Sequence, residues 1–324
     1  MCADFVSGQE LSRRFYQEVV RPALDPGVPH SAALIGRGSE VLGFDDEMSG
    51  DHNWEPRALL FVRDGDTLQP DVPDRFEGRP ALVEVHTLRE YFQERLGFDP
   101  DQELTVRDWF TFPEQNLRMF TAGAVFHDEI GLQAVRDRLD YYPRDVWLYL
   151  MIAAWWRVHP EMNLVGRSGY VGDELGSAVI GAQLVQDLMR LCFLMEREYA
   201  PYSKWFGTAF SRLSCGPSIG PLLREVLRAE TWQEREEALM AANQGVAELH
   251  NRLEITAPVE LGVEQMCGRP FKVVWGDFPG ALAAAIEDPD VRRIAERWPV
   301  GGIDQVRNVL WKVADRRKAI AFFD

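Results

Sequence analysis

Cysteine is scarce in this 324-residue chain: Cys2, Cys192, Cys215 and Cys267 are scattered, with no CxxC spacing. That argues against a disulfide framework and against a cysteine-based zinc site, and makes a reducing, cytoplasmic compartment the expected location. The six histidines are equally dispersed and form no HxxxH pair. Lysine is rare, and Lys and Arg form no block. Acidic residues outnumber basic ones by 51 to 35, a net charge of −16. Such a chain repels nucleic acid, so a small-molecule partner is expected and no nucleic acid. No apolar run reads as long enough to cross a bilayer. The segment Met1 to Glu10 lacks a basic region followed by an apolar stretch, so no signal peptide and no membrane association are expected. The sequence does not disclose an oligomeric state.

What is present divides in two. Residues 5–20 carry apolar positions near helical spacing and stop at Pro22. Three short apolar runs follow, at 31–35 (SAALI), 54–62 (ending ALLFV) and 81–87 (ALVEVHT), each bounded by turn residues and each read as a strand. A loop or hairpin is expected over 63–80 and a short helix over 88–96. After Pro100 the pattern becomes helical, over 113–121, 132–141, 145–158, 172–199, 204–213, 220–230 and 231–252. A short extended piece at 273–275 precedes two helices split near Asp288-Pro289 and a last helix over 303–320. The reading is α+β: a small α/β domain over residues 1–100, then a larger all-helical domain over 101–324.

The stretch GRGSEVLGFDDEMSGDHNWEPRALLFV, Gly36 to Val62, concentrates the chemistry. Gly38-Ser39 lies between a strand and a helix, where backbone N–H groups and a hydroxyl can face an anion. Asp51, Asn53 and Glu55 alternate, which on an extended segment puts three oxygen-bearing side chains on one face, suited to a hard cation such as Mg²⁺. Asp45-Asp46-Glu47 reads as a solvated turn. Glu84 lies between Val83 and Val85, where an ionised carboxylate needs a metal, a partner or water. Two roles stay open for it: metal ligand or general base, and partner of an Arg across the sheet. His86 shares its face and reads as structural.

In the helical half, APYSKWFGTAF (Ala200 to Phe210) sets Lys204 among aromatics, with Trp205 and Phe206 read as core. Asp187 and Arg190 are spaced for a pair on one helix. The Gly-rich VGRSGYVGDELGS (Val165 to Ser177) reads as a loop between helices, with Asp173 capping the second. DVWLYLMIAAWW (Asp145 to Trp156) is apolar all round and reads as a buried central helix.

The order Gly-Ser, about ten residues, an Asp-x-Asp-like pair and a later third acid resembles the signature of the nucleotidyltransferase superfamily. More narrowly, GSEVLGFDDEMSGDHNW, LVEVHTL and APYSKWFGTAF resemble the uncharacterised bacterial family domain of unknown function 4037. The resemblance implies a nucleotidyltransferase-like N-terminal domain with a helical domain completing a cleft. It implies Mg²⁺ or Mn²⁺ as cofactor and an NTP as co-substrate, ATP first, whose NMP passes to a small-molecule acceptor. The first acid maps to Asp51 and the third to Glu84, the catalytic pair. Metal ligands would be Asp51, Asn53, Glu55 and Glu84. Gly38 and Ser39 would hold the phosphates, with Lys204 and Arg190 as cationic contacts. This chain departs from the pattern at the second acid, where Asn53 keeps an oxygen ligand and loses a charge. The resemblance therefore leaves two readings, an active transferase and a protein that binds nucleotide or metabolite without turnover.

Overall fold

The computed structural model describes residues 5–51, 55–297 and 299–306. The chain packs as two units that divide between Tyr141 and Tyr142.

In the first unit, helix α1 (Gly8–Phe15) is capped by Ser7 and continues into a π-turn over Tyr16–Val20. Strand β1 (His30–Leu34) is buried at every position and leads into the one-turn helix α2 (Ser39–Leu42). Strand β2 (Arg57–Val62) follows. A two-residue hairpin, β3 (Arg75–Phe76) with β4 (Arg79–Pro80), leads to β5 (Leu82–Thr87). Helices α3 (Leu88–Arg95), α4 (Val106–Thr111) and α5 (Glu114–Thr121) precede strand β6 (Ala124–Asp128) and helix α6 (Leu132–Asp137). The sheet order is β5-β2-β1-β6. β1 runs antiparallel to both neighbours, and β2 and β5 are parallel. Residues beyond 100 thus still belong to this sheet. The 101–141 segment, grouped by sequence with the helices, packs with the first unit because β6 completes β1's hydrogen bonding.

Each sheet face has its own core. Ala32, Ala58, Leu60 and Val62 pack with Phe15, Tyr16, Val20 and Leu68. On the other face Phe61 meets Tyr91 edge-on at 5.1 Å, and Tyr91 and Phe92 meet Phe120 at 5.6 and 5.0 Å. Alternation along β2 sorts these side chains, since successive residues point to opposite faces.

The second unit is helical: α7 (Arg144–Val158), α8 (Met162–Tyr170), α9 (Glu174–Met195), α10 (Ser203–Arg212), α11 (Gly216–Arg228) and α12 (Trp232–Arg252). A hairpin of β7 (Gly262–Gln265) and β8 (Lys272–Trp275) follows, then α13 (Phe278–Ala284), α14 (Pro289–Arg297) and α15 (Ile303–Val306). α7 is the central helix that its all-round apolar sequence requires, packed against α9, α13 and α14. Trp155 stacks on Phe278 at 4.2 Å and donates its indole N–H to His250. α9 is long and apolar enough to cross a membrane by length and composition, contrary to the expectation from the sequence. About half of it packs against α7, α8, α11 and α12, while Leu175 and Val179 near its start are exposed.

The Gly-rich stretch from Val165 is another correction. Through Tyr170 it is helix α8, and the turn occupies only the residues before Asp173, which caps α9 through the Gly176 N–H at 2.7 Å. The glycines serve packing: a Cβ on Gly169 would lie 2.1 Å from the Trp232 side chain. Helix propensity alone would make Gly169→Ala stabilising by about 1 kcal/mol. The overlap reverses the sign, and we expect a loss of roughly 1–3 kcal/mol. A urea midpoint at or above wild type for that variant would rule out this account.

Candidate functional site

The sheet topology gathers one group of polar side chains in the first unit. β1 is antiparallel to β2 with Ala33 opposite Leu59, so the chain leaving β1 at Gly36 runs beside the entry to β2. β2 is parallel to β5 with Leu59 opposite Glu84, which brings Glu84 to the same end. Gly38, Ser39 and Glu55 flank this end of the sheet, and Glu84 lies two residues into β5 from it.

Gly38 adopts φ 129° and ψ 148°, a conformation that glycine favours. The space its missing side chain leaves is filled from within. A Cβ on Gly38 would lie 2.0 Å from the Glu40 carboxylate. Glu40 is 1% exposed, and its Oε1 lies 3.1 Å from Arg57 Nη2. Arg57 Nη2 also donates to the Arg37 carbonyl, and the Arg57 N–H donates to the Ser12 hydroxyl of α1 at 3.1 Å. Among the described residues, Glu40 Oε2 and Arg57 Nε are buried without a hydrogen-bond partner. The place the sequence suggested for a phosphate beside Gly38-Ser39 is thus held by a carboxylate of the chain itself. α2 is a single turn, too short for a sizeable helix dipole.

Glu40 is pushed up to about 7. Burial is the largest cause, Arg57 opposes it, and the carboxylates of Asp45 and Glu55 add to it. Glu55 is half-buried before Pro56, whose carbonyl accepts from the Leu82 N–H at 3.0 Å. On β5, Glu84 Oε2 lies 3.0 Å from His86 Nε2. Beside them is Tyr91, whose buried hydroxyl lies 2.7 Å from where a Cβ on Gly36 would be. Burial first, opposed by Arg95, Arg57 and Arg37, pushes its pKa up to about 12.

The other expected residues fall differently. Asp51 closes a 3₁₀ turn over Glu47–Asp51 and does not lie on a strand, because β2 pairs with its neighbours only from Arg57, after Pro56. The alternation assumed for Asp51, Asn53 and Glu55 therefore does not start at Asp51. Asn53 lies outside the described residues. The acidic turn is not merely solvated: Asp45 accepts from the Gly8 N–H at 2.7 Å, and Asp46 from the Met48 and Ser49 N–H groups. Lys204 and Arg190 belong to the helical unit. The Lys204 ammonium lies over the Trp205 ring at 4.7 Å, and the Arg190 guanidinium over Phe206 at 5.5 Å. Asp187 pairs with Arg157 of α7 at 3.0 Å and with Gln183, in place of the expected Arg190, since it faces the interhelical contact.

A second group escaped sequence reading. His30, His127 and Glu129 each offer a ligand atom within 4.8 Å of the others, a cluster able to hold a metal ion. Positions 30 and 127 are far apart in the chain and meet only because β6 pairs with β1. Glu40 and Arg57 were missed for a related reason: a Glu next to Gly-Ser carries no mark of burial.

Against known proteins, the model of a domain of unknown function (DUF4037) matches residues 109–206. That segment includes Arg190 and Lys204 and excludes the Gly38-to-Glu84 group. Comparison with curated proteins finds no match. Among solved structures, a nucleotidyltransferase-like protein from Exiguobacterium sibiricum 255-15 is similar at 12% identity, over 82% of this chain and 97% of that one, with a TM-score of 0.35.

The raised Glu40 pKa has a definite sign. Its folded value, near 7, exceeds the unfolded 4.5, so the folded state holds this proton longer. The Glu40 contribution to stability therefore falls as pH rises from about 4.5 to about 7, by on the order of 3 kcal/mol. Glu40→Gln keeps the shape and an acceptor for Arg57 without titrating. Urea midpoints at pH 5 and pH 7.5 should show the variant gaining on wild type at the higher pH. A pH-independent difference would mean that Glu40 is ionised throughout.

Proposed function

We propose that the sheet end carrying Gly38, Ser39, Glu55 and Glu84 is a nucleotide site, at which NMP passes from an NTP, ATP first, to a small-molecule hydroxyl acceptor. The observation that carries this reading is the strand arrangement. An antiparallel β1–β2 pair and a parallel β2–β5 pair set a Gly-Ser turn and a later-strand carboxylate at one end of one sheet. Asp51, the last residue of the 3₁₀ turn that precedes β2, would be the leading metal ligand of this site.

The donors fit a hard divalent cation. Glu55 and Glu84 are oxygen donors, and Asp51 and Asn53 add more by residue type. Mg²⁺ or Mn²⁺ held there would offset the charge of the phosphates. The chain's own part is then positional. The turn N–H groups and Ser39 hydroxyl orient phosphate oxygens, and Arg57, within reach of both Arg37 and Glu40, can turn to an incoming anion. Glu84, held by His86, would accept the acceptor's hydroxyl proton. Phosphate entry beside Gly38 requires the Glu40 side chain to move aside, and a neutral Glu40 repels the anion less, which favours binding below the Glu40 pKa. This reading does not depend on Lys204 or Arg190.

Asn53 favours a second reading, nucleotide or metabolite binding without turnover, because one expected charge is missing. Calorimetry with Mg²⁺-ATP and pyrophosphate release in the presence of a metabolite mixture separate the two. Under the transferase reading, Asp51→Asn and Glu84→Gln each weaken Mg²⁺-ATP binding or abolish pyrophosphate release with unchanged circular dichroism. Asn53→Asp tightens metal binding. Wild-type affinity and turnover in both carboxylate variants would remove the proposal, and binding without any pyrophosphate release would leave the second reading.

A further inference from the structure

At the opposite end of β1 from the Gly-Ser turn, we propose a second, independent site for a borderline divalent transition metal of the Zn²⁺ or Co²⁺ class, ligated by His30, His127 and Glu129. His30 opens β1 and Gly36 follows its end. Leu34 lies four residue steps along the strand from His30, roughly 13 Å. His30 shares the face of Ala32, the side that packs on Tyr16, whereas Glu84 belongs to the Phe61 face.

The geometry is that of an assembled ligand set. The His30 ring is buried, with Nδ1 3.4 Å from the Val28 carbonyl. A proton on Nδ1 then leaves Nε2 as a lone pair, the arrangement by which a backbone carbonyl fixes the tautomer of a metal-binding histidine. Nε2 faces the Tyr16 hydroxyl at 2.9 Å, an oxygen that can donate to it or stand as a neighbour to a bound ion. The His127 ring lies 4.6 Å from the His30 ring, and its Nε2 is 3.4 Å from Glu129 Oε1. Glu129 Oε2 accepts from the His30 N–H at 3.3 Å, and the Glu129 N–H donates to the His30 carbonyl. These links tie Glu129, just past β6, to His30, and the β1–β6 pairing sets His127 opposite Ala32.

Chemistry selects the ion. Two imidazoles and one carboxylate suit Zn²⁺, Co²⁺, Ni²⁺ or Cu²⁺, whereas Mg²⁺ and Ca²⁺ prefer oxygen alone. Three protein ligands leave a position open for water. Arg21 is the cationic group that opposes an ion here, acting on both His30 and Tyr16. The ligand atoms, within 4.8 Å of one another, must close to about 3.4 Å around a tetrahedral ion. His127 and Glu129 have side chains 22% and 50% exposed, which leaves them room to rotate inward.

The test uses the full chain, stripped with a chelator and dialysed. Titration with Co²⁺ should give visible d–d bands that saturate at one ion per chain, and calorimetry with Zn²⁺ should give the same stoichiometry. A millimolar excess of Mg²⁺ should not displace the ion. His127→Ala and Glu129→Gln, both at partly exposed positions, should each lower Co²⁺ affinity about tenfold or more with unchanged circular dichroism. Glu84→Gln should leave it at wild type, so failure of the nucleotide site and failure of this one read out separately. Absence of Co²⁺ and Zn²⁺ uptake overturns the proposal. So does uptake that survives His127→Ala unchanged, which would place the ion on other groups such as the exposed thiol of Cys267.

Discussion

The pairing of β1 between β2 and β6 is the constraint on which the first unit depends. All five residues of β1 are buried, and each of its backbone polar groups must find a strand partner, because unpaired buried amides are costly. Satisfying both edges forces β6 back to β1 from about ninety residues downstream. The same two pairings decide where chemistry can occur. β2 brings Glu55 and Arg57 beside the turn that leaves β1, and β6 brings His127 and Glu129 beside its start.

The Glu40–Arg57 pair shows how this constraint carries into electrostatics. Arg57 is fixed by its place at the head of β2 and by the Ser12 hydroxyl that receives its backbone N–H. Glu40 is then buried against Gly38 with one oxygen paired and the other without a partner. A buried pair with unsatisfied atoms is a weak source of stability, since desolvation offsets attraction. The nearby carboxylates of Asp45 and Glu55 add to the cost of ionising Glu40.

In the helical unit the governing term is close packing. α7 has no polar face, so other elements surround it, and the Trp155–Phe278 stack with His250 fills the space between α7, α12 and α13. Burial alone brings His250 down to about 4, which keeps the ring neutral as acceptor of the Trp155 N–H. Glycine on α8 lets Trp232 and Phe271 approach the helix closely.

Local pattern in the sequence determined much of this protein. Apolar runs bounded by turns placed β1, β2 and β5 within a few residues, since burial of short strands leaves a compositional mark. The all-apolar run after Asp145 announced a central helix, and the Asp288-Pro289 break separated α13 from α14, because Pro cannot continue a helix. The Gly-Ser turn and Glu84 were visible as residue types at suggestive spacings. What only the tertiary structure decided concerns partners distant in sequence. Glu40 is buried because Arg57 and Gly38 enclose it, Asp187 finds Arg157 on another helix, and His30 meets His127 across a strand pair. Asp51 lies on a 3₁₀ turn where alternation suggested a strand, because Pro56 has no N–H to enter the ladder. Spacing along a chain specifies which side chains share a face of one element. Which elements share an edge depends on hydrogen bonds and packing between segments that no local pattern encodes.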